Sequence, residues 1–428
     1  MGSDDDELEV IVERSAGLDV HKDMVAACVR VPDGRGGVAK HVAEFPTFTE
    51  DLLALRDWLV GYGVTRVGME ATGVYWKPVF YALEDAVECW LLNARHMHNV
   101  PGRKTDMADA DWICRLVRFG LVRKSFVPPP PIRELRNLTR YRRARIEERT
   151  RETQRLDKVL QDAGVKLSSV ASDILGRSGR EMLDALVEGS RNPEVLAELA
   201  RGQLRAKIPQ LRSALTGRFG ANHALVVGEI LAHLDYIDKS LGRLQAGIDE
   251  LIAPFADSRD RLMTIPGVNK VIAEALIAEI GVDMSTFPTA AHLASWAGMC
   301  PGQHESAGKS RHGTARHGDS WLQRHLAVAA MAAARSRDTY LAAQYRRLVG
   351  RRGKRRARKA VGHSILIGCW HILNDGVEWA DLGEDYFDRR HDPERLGRRR
   401  LNELRSLGWT LDTHPDGTTT LTPPAAAA

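Results

Sequence analysis

Paired cysteines are missing from this sequence. The five cysteines, Cys28, Cys89, Cys114, Cys300 and Cys369, lie far apart, and none belongs to a CxxC motif. This spacing argues against a zinc ribbon and against a disulfide framework, and it fits a reducing compartment.

Long apolar runs are also absent. No stretch approaches the roughly 20 residues of a membrane-spanning helix, so we expect no membrane partner. The first ten residues, MGSDDDELEV, are acidic, whereas a signal peptide begins with basic residues and continues with an apolar run. We therefore expect a soluble intracellular protein in which residues 1–15 form a disordered acidic N-terminus.

The glycine-rich stretch PGQHESAGKSRHG, residues 301–313, does not have the spacing of a P-loop. A P-loop has four residues between its glycines, followed by Lys and Ser or Thr, whereas five residues separate Gly302 from Gly308. The preceding HLASWAGMC is typical of a helix, where a P-loop requires a strand. A P-loop NTPase is therefore disfavoured, and the role of Ser306 or Ser310 among these glycines and cations needs another explanation.

The composition is that of a large globular protein. A chain of 428 residues with 43% apolar and 27% charged residues is long enough for two or three domains. The net charge of +5 is modest, so a polyanionic partner has to be judged from where the cations cluster.

Strands and helices alternate in the first part of the chain. The patterns predict a β-hairpin in 16–31, helices in 48–62, 74–86 and 106–119, and strands in VTRVGMEATG and VECWLLNAR. This alternation predicts an α/β domain over residues 16–127. The proline run in VPPPPIREL, which follows, indicates a boundary.

An arginine-rich helix is predicted over residues 132–165. Nine Arg and four Glu lie between positions 133 and 155. One interpretation is a solvated helix with ion pairs four residues apart. The excess positive charge favours the other, an arm that contacts phosphates through residues such as Arg142 and Arg143.

Residues 227–251 carry a heptad seam. Apolar side chains recur at alternating spacings of three and four, at Val227, Ile230, Leu234, Ile237, Leu241, Leu244, Ile248 and Leu251. Such a seam predicts a coiled coil, or a helix that packs inside its own chain, for example against the 132–165 helix. We leave both open and expect a helical segment over residues 128–256.

Two further segments point to nucleic acid. LMTIPGVNKVIAEALIAEIG reads as helix, Pro-Gly turn and helix, the form of a helix-hairpin-helix motif whose turn presents N–H groups to a phosphate. RRLVGRRGKRRARK, residues 346–359, holds nine Lys or Arg and no acid. A frayed, solvated tail is the simpler interpretation, but this field favours a polyanion. We expect contacts from Arg351, Arg352, Lys354, Arg355 and Arg356.

Several carboxylates lie in unusual positions. Asp19 lies within a predicted strand, where Asp is depleted, and Glu70 ends another strand, where open α/β sheets place their sites. Asp106 and Asp109 are three residues apart at the start of a helix and share a face, whereas Asp111 points elsewhere. Carboxylates from different elements could hold two Mg²⁺ ions roughly 4 Å apart for phosphoryl transfer. Helix capping explains one or two of these acids but not Asp19 or Glu70.

These motifs, taken together, resemble a known family. GLDVHKD, GMEATGVYW, VPGRKTDMADADWI, IPGVNKVIAEALIAEIG, WAGMCPGQHESAGKSRHG and WLQRHL resemble the RuvC-like DEDD transposases of the insertion sequence 110 family, which are bridge-RNA-guided recombinases. The resemblance spans roughly residues 15–345 in the right order.

The resemblance implies an RNase H/RuvC-like N-terminal domain, a helical coiled-coil segment, and a mostly helical transposase domain over 257–345 with a catalytic serine. The implied catalytic residues are Asp19, Glu70, Asp106, Asp109 and Ser306, and the four acids are also the implied metal ligands. Mg²⁺, in two ions, is the implied cofactor, with Mn²⁺ as a substitute. Implied partners are double-stranded donor and target DNA, a structured non-coding guide RNA, and further copies of the chain, in dimers to tetramers with the tetramer favoured. The implied location is the bacterial cytoplasm, at the nucleoid.

We also expect nucleic-acid contacts from the cations that flank these motifs, Arg103, Lys104, Lys309, Arg311 and Arg316. Residues 165–225 and the basic extension 346–428 have no family motif, so their roles stay open. Two alternatives remain: a RuvC-like nuclease of the Holliday-junction resolvase type, which needs the carboxylates but not Ser306, and a non-catalytic nucleic-acid-binding protein, against which the intact spacing of the four acids argues.

Overall fold

A computed structural model of the chain describes residues 9–70, 73–93, 109–300, 303–306, 309–312, 318–389, 393–414 and 418–423. The chain divides into two compact units, Met1–Val127 and Pro128–Ala428, called here the N-terminal and C-terminal units. No helix of the described residues is long and apolar enough to cross a membrane.

The N-terminal unit is built on a mixed five-stranded sheet. Its strands are β1 (Ser15–Val20), β2 (Met24–Pro32), β3 (Val38–Pro46), β4 (Arg66–Glu70) and β5 (Glu88–Leu92), in the order β3-β2-β1-β4-β5. The β1–β2 and β2–β3 pairs are antiparallel, and β1, β4 and β5 run parallel. The predicted hairpin and the two later strands are confirmed, whereas β3 was not predicted.

Helices cover both faces of this sheet. They are α1 (Thr49–Gly61), α2 (Trp76–Leu83) and α3 (Asp109–Arg118). Leu18 and Val20 of β1 pack with Leu55 of α1 and Val79 of α2 in one buried cluster. Side chains of β1 alternate between faces, and Ser15, from the other face, contacts Cys114 of α3. The predicted mixed α/β character of this part of the chain is therefore confirmed.

The C-terminal unit is mostly helical, as predicted. Its elements are α4 (Pro130–Asp162), α5 (Arg177–Val187), α6 (Pro193–Glu198), α7 (Ile208–Leu215), α8 (Ala221–Ile252), α9 (Ala256–Met263), α10 (Lys270–Ile280), α11 (Ala290–Trp296), β6 (Gln303–Ser306), β7 (Lys309–His312), α12 (Ser320–Ala333), α13 (Tyr340–Asp375), α14 (Tyr386–Arg389), α15 (Pro393–Ser406), β8 (Thr410–Thr413) and β9 (Thr419–Thr422).

The heptad seam of α8 is used within the chain. Val227, Ile230, Leu234, Ile237 and Ile248 are buried, and α8 packs along α4. Of the two alternatives for this seam, packing inside the chain is confirmed for these residues.

Residues 165–215, which no motif explained, form a small helical layer at one end of this pair. Met182, Leu186, Leu196 and Leu211 are buried in one cluster with Leu160 of α4. The layer therefore has a structural role in closing the core between the C-terminal end of α4 and the N-terminal part of α8.

The basic run 346–359 lies within α13 and is not a loose tail. Gly353, at φ +76° and ψ 163°, interrupts the helix in the middle of the run. Beyond this break, Val361, Ile365 and Cys369 are fully buried. The second half of α13 is therefore part of the core, and the break presents the cations at the surface.

Candidate active site and nucleic-acid interface

Asp19 and Glu70 lie at the same end of two adjacent strands. The strands β1 and β4 run parallel, and Leu18 is in register with Met69, so the next residue of each strand is one of the two acids. Both acids are half-buried. The side chain of Asp19 is 21% exposed, and its Oδ2 lies 3.2 Å from Nε2 of His21.

Helix α3 brings Asp109 toward the same end of the sheet. Ser15, Gly17 and Asp19 share one face of β1 because side chains alternate. Ser15 Oγ lies 3.4 Å from Cys114 Sγ, and Gly17 lies against both Cys114 and Ala110. The helix thus runs opposite to β1, and its first residue, Asp109, lies toward the end at which Asp19 stands.

Gly17 makes this arrangement possible. A Cβ atom on Gly17 would lie 2.1 Å from the carbonyl oxygen of Ala110 and 2.3 Å from the backbone nitrogen of Cys114. Both contacts are with backbone, so no side-chain rotation could relieve them. Only glycine permits α3 to lie this close to β1.

The carboxylate of Asp111 is held by cations of β2 and β3. Arg30 donates two hydrogen bonds to its carboxylate, at 2.7 and 3.1 Å, and Lys40 donates one at 3.0 Å. Burial raises the pKa of Asp111, but the hydrogen bonds from Arg30 and Lys40 outweigh it and lower the pKa to about 2. These two ion pairs hold α3 against β2 and β3.

The donor chemistry at this end of the sheet suits a hard divalent cation. Asp19, Glu70 and Asp109 offer only carboxylate oxygens, which Mg²⁺ prefers. Among the described residues, no three His, Cys, Asp or Glu side chains are close enough to hold a metal ion by themselves. The fourth predicted ligand, Asp106, lies outside the described residues, as do Arg103 and Lys104.

The stretch with the two serines forms a β-hairpin, which we call the serine hairpin. It consists of β6 and β7, which pair antiparallel with Ser306 in register with Lys309 and Glu305 in register with Ser310. Arg311 is in register with His304. Arg316 lies outside the described residues. The register puts a lysine directly across from Ser306.

The backbone before the serine hairpin, at Ala297, and the backbone after it, at Gly318, lie in close contact. A Cβ atom on Gly318 would lie 2.3 Å from the carbonyl carbon of Ala297. Asp319 Oδ1 accepts hydrogen bonds from the backbone nitrogens of Trp321 and Leu322, at 2.8 and 2.9 Å, and so caps α12. Its Oδ2 lies 3.3 Å from a guanidinium nitrogen of Arg140.

Most arginines of α4 are ion-paired inside the unit. Arg142 is 2% exposed, and its guanidinium donates to Glu274, to Gln245 Oε1 at 2.6 Å and to the Val271 carbonyl at 3.1 Å. The prediction that Arg142 contacts phosphate is therefore corrected, because this side chain has no surface to offer. Arg143 is half-buried and donates to Glu147 at 3.0 Å.

The acids that hold these arginines were not identified from the sequence. Glu274 and Glu279 are buried on α10, and Glu279 accepts a bidentate pair from Arg140, at 2.8 and 2.7 Å. The sequence did contain a signal for these acids: apart from Lys270 and the two Glu, α10 is apolar on every side, and such a helix is buried. Two Glu in a buried helix require cationic partners, and α4 contains more Arg residues than any other described helix.

A run of exposed cations surrounds Gly353, and we call it the basic break. Arg351, Arg352, Lys354, Arg355 and Arg356 are all exposed. Within the described part of the chain, none of these five forms an ion pair. Unlike most arginines of α4, they remain available to an anionic partner.

Two family models match the chain, and together they cover more than half of it. One, for DEDD-type proteins of IS110 and described as a transposase, matches residues 16–164. The other, described as Transposase IS116/IS110/IS902 family, matches residues 259–346. The first contains Asp19, Glu70, Asp106 and Asp109, and the second contains Ser306.

One curated relative is an insertion element IS110 uncharacterized 43.6 kDa protein from Streptomyces coelicolor. It is 36% identical over 110 residues, which are 25% of this chain and 26% of that protein. The match thus spans about a quarter of the relative's length. Both family models and this relative point to the same group: the chain belongs to the IS110 family of transposases.

Proposed function

We propose that this protein is an insertion-sequence transposase that cuts and rejoins DNA strands. In this proposal Asp19, Glu70, Asp106 and Asp109 form the carboxylate site, and Ser306 is the nucleophile. The observation that carries the proposal is the convergence of Asp19, Glu70 and Asp109, from two strands and a helix, toward one end of the sheet.

The sheet order supports a RuvC-like, RNase H-like identity for the N-terminal unit. Three antiparallel strands followed by two parallel ones put an acid at the end of the first strand and another at the end of the fourth. The match of a DEDD-type family model to residues 16–164 supports the same assignment. The fourth acid, Asp106, would complete the set.

A divalent cation, Mg²⁺ or Mn²⁺, would be held by these carboxylates. Such an ion stabilises negative charge on the attacking and leaving oxygens of a phosphodiester. The residues of this chain would fix its position, since Gly17 sets α3 against β1 and Asp111 locks α3 to Arg30 and Lys40.

Ser306 would hold the cleaved strand as a covalent phosphoserine ester, which conserves the energy of the broken phosphodiester bond. Its Oγ attacks the phosphorus of a DNA strand, a phosphoserine ester forms, and the bond from phosphorus to the deoxyribose oxygen breaks. A deoxyribose hydroxyl from another strand then attacks the phosphoserine and releases Ser306, so rejoining needs no ATP. Lys309, in register with Ser306, and Arg311 would neutralise phosphate charge.

We further propose that the basic break binds nucleic acid, and that a structured guide RNA selects the DNA sites. The exposed cations of the break support a polyanionic partner. A guide that pairs with DNA would hold the sequence information outside the protein. Copies of the chain would act together as dimers or tetramers, as the resemblance to the family implies.

The decisive experiment is strand exchange with purified protein, Mg²⁺, the co-purifying RNA and labelled donor and target DNA. Asp19→Ala and Ser306→Ala should each abolish rejoining, whereas Ser310→Ala, the matched serine on the other strand of the hairpin, should retain it. Nicking that survives in Ser306→Ala at the wild-type rate would favour the resolvase-type nuclease. Wild-type exchange by Asp19→Ala would overturn the carboxylate site.

A further inference from the structure

Lys359 differs from the other cations of the basic run 346–359. Of the nine Lys and Arg in this run, Lys359 is the only one that is not exposed. Its Nζ donates a hydrogen bond to the carbonyl oxygen of Gly298 at 2.9 Å. Among the described residues, no carboxylate forms an ion pair with it. Because partial burial of an unpaired charge costs free energy, stability alone does not explain this position.

The carbonyl of Gly298 lies at the C-terminal end of α11. Gly298 has φ +65°, and its nitrogen donates to the Ser295 carbonyl at 3.1 Å, while the Met299 nitrogen donates to the Ala294 carbonyl at 2.9 Å. These bonds close the last turn of the helix around a glycine in the left-handed region. Carbonyl groups at such an end carry partial negative charge and attract cations. Lys359 therefore holds the end of α11 in place.

The end of α11 is also where the chain enters the serine hairpin. Four residues separate Gly298 from Gln303, at which β6 begins. The chain that leaves the hairpin passes the same point, because a Cβ atom on Gly318 would lie 2.4 Å from the Gly298 nitrogen. We call residues 297–299 the hairpin base. A contact that holds this base therefore fixes both ends of the hairpin.

Helix α13 contacts the hairpin base at two points. Lys359 binds the carbonyl of Gly298, and three residues further along Gly362 lies against Met299, whose Cε would be 3.1 Å from a Cβ atom on Gly362. Residues three apart lie on one face of a helix, and Met299 is buried. One face of α13 therefore supports the hairpin base.

Arg355 of the basic break is the neighbour of Lys359 on α13. It lies four residues earlier, on the same side of the helix, and it is exposed. Burial first, and then the charge of Arg355, lower the pKa of Lys359, while the Cys300 thiol acts in the opposite direction. The two cations repel each other across one helical turn. An anion bound by Arg355 would offset this repulsion and strengthen the contact of Lys359 with Gly298.

We propose that Lys359 is a positioning residue that couples DNA bound on the basic break to the serine hairpin. DNA phosphates at Arg355 remove the repulsion, Lys359 then holds the carbonyl of Gly298 more firmly, and the hairpin base is fixed once DNA is in place. The inference rests on the proposed function, in which Ser306 of this hairpin attacks DNA. For that reason DNA, the substrate of the hairpin, is the occupant of the break that this coupling favours over RNA.

Hydrogen exchange of the full chain tests the coupling without any reaction. At low salt, a random-sequence DNA duplex should slow amide exchange at residues 297–299 of the wild type by about fivefold or more. In Lys359→Met the duplex should still bind, but exchange at these residues should be the same with and without it. Lys359→Arg, which can donate to the same carbonyl, should recover the slowing. Lys239→Met, the same change as Lys359→Met at an exposed lysine of α8, should behave as the wild type.

Arg355→Gln separates relief of the repulsion from a general loss of structure. Since this variant removes the repelling charge, its hairpin base should exchange no faster than that of the wild type in the free protein, and the duplex should no longer slow it. The proposal is overturned if the DNA duplex leaves wild-type exchange unchanged, or if it slows exchange in Lys359→Met as in the wild type. Slowing by an RNA duplex of the same sequence but not by DNA would also overturn it.

Reaction kinetics distinguish this proposal from the proposed function. Lys359→Met should lower the rate of phosphoserine formation at saturating DNA by about tenfold or more, because a misplaced nucleophile loses rate. Arg352→Gln, on the other side of Gly353, should instead raise the DNA concentration that gives the half-maximal rate. A wild-type rate at saturating DNA in Lys359→Met would refute the positioning role. If the wild type forms no adduct at Ser306, the proposed function fails, whereas the exchange measurements still decide the coupling.

Discussion

Two neighbouring arginines of α4 have opposite environments and should respond differently to substitution. Arg142 is 2% exposed and paired with the buried Glu274, so Arg142→Met leaves an uncompensated buried carboxylate and should cost about 3–5 kcal/mol. Arg143 pairs with Glu147 near the surface, so Arg143→Met should cost about 1 kcal/mol or less. Urea unfolding measures the free energy of unfolding of both variants. Similar losses of stability would contradict the larger contribution assigned to the buried pair.

His325 should make stability depend on pH. Burial first, and then the charges of Arg143 and Arg142, lower the pKa of His325 to about 4 from an ordinary 6.5, against the opposing charges of Asp319 and Glu147. A histidine held neutral in the folded state loses stability as pH falls from about 6.5 toward 4, because the unfolded chain binds the proton first. His325→Gln should flatten the unfolding free energy over this window. His371→Gln, at an exposed histidine, should keep the wild-type slope, and a wild-type slope in His325→Gln would contradict the assignment.

The individual site residues were predictable to different degrees. Asp19 and Glu70 could be selected because a strand does not otherwise need an acid at these positions. Asp109 was selected because it shares a helix face with Asp106, although capping would also explain an acid at a helix start. The pairing of Arg142 could not, because a helix with nine Arg does not indicate which of them face another element. Only the fold brings Glu274 into reach.

The contact between β1 and α3 can be tested with one methyl group. Gly17→Ala places a Cβ within 2.1 Å of the Ala110 carbonyl oxygen, so α3 must move away from the sheet at a cost of about 1–3 kcal/mol. DNA cleavage should fall with it, since Asp109 moves too. Gly242→Ala, in α8 with nothing within 4 Å, should be neutral or slightly stabilising. Thermal unfolding and cleavage assays compare the two, and normal activity of Gly17→Ala would separate α3 from the site.

The order of helices and strands along the chain could be predicted from the sequence more fully than which of them pack against each other. Short β-rich runs predicted β1, β2, β4 and β5, whereas β3, with the sequence VAKHVAEFP, was missed because small and polar residues occupy both of its faces. The serine hairpin escaped for a similar reason, since QHES and KSRH have no β-branched or aromatic residue. The seam of α8 gave the helix but could not distinguish a partner in the same chain from one in another.

For nucleic-acid binding by the complete chain, the location of the cations matters more than the net charge. Most arginines of α4 form ion pairs within the C-terminal unit, whereas the cations of the basic break are exposed. The triple variant Arg352→Gln/Arg355→Gln/Arg356→Gln should lower the salt dependence of nucleic-acid binding, by a slope of about 2–3 if each cation contacts a phosphate. Arg177→Gln/Arg201→Gln/Arg212→Gln, whose arginines have acidic neighbours, is the control. Equal slopes for the two triple variants would contradict a role for the break.

The activity of the assembled protein depends on whether the acids at the end of the sheet hold a metal ion. Mn²⁺ binding, followed by electron paramagnetic resonance alongside Mg²⁺-dependent DNA cleavage, measures this directly. Asp19→Asn and Asp109→Asn should lose both Mn²⁺ binding and cleavage, whereas Asp23→Asn, an exposed acid in the turn that follows β1, should keep both. Wild-type Mn²⁺ binding and cleavage in Asp19→Asn and Asp109→Asn would contradict a carboxylate metal site at this end of the sheet.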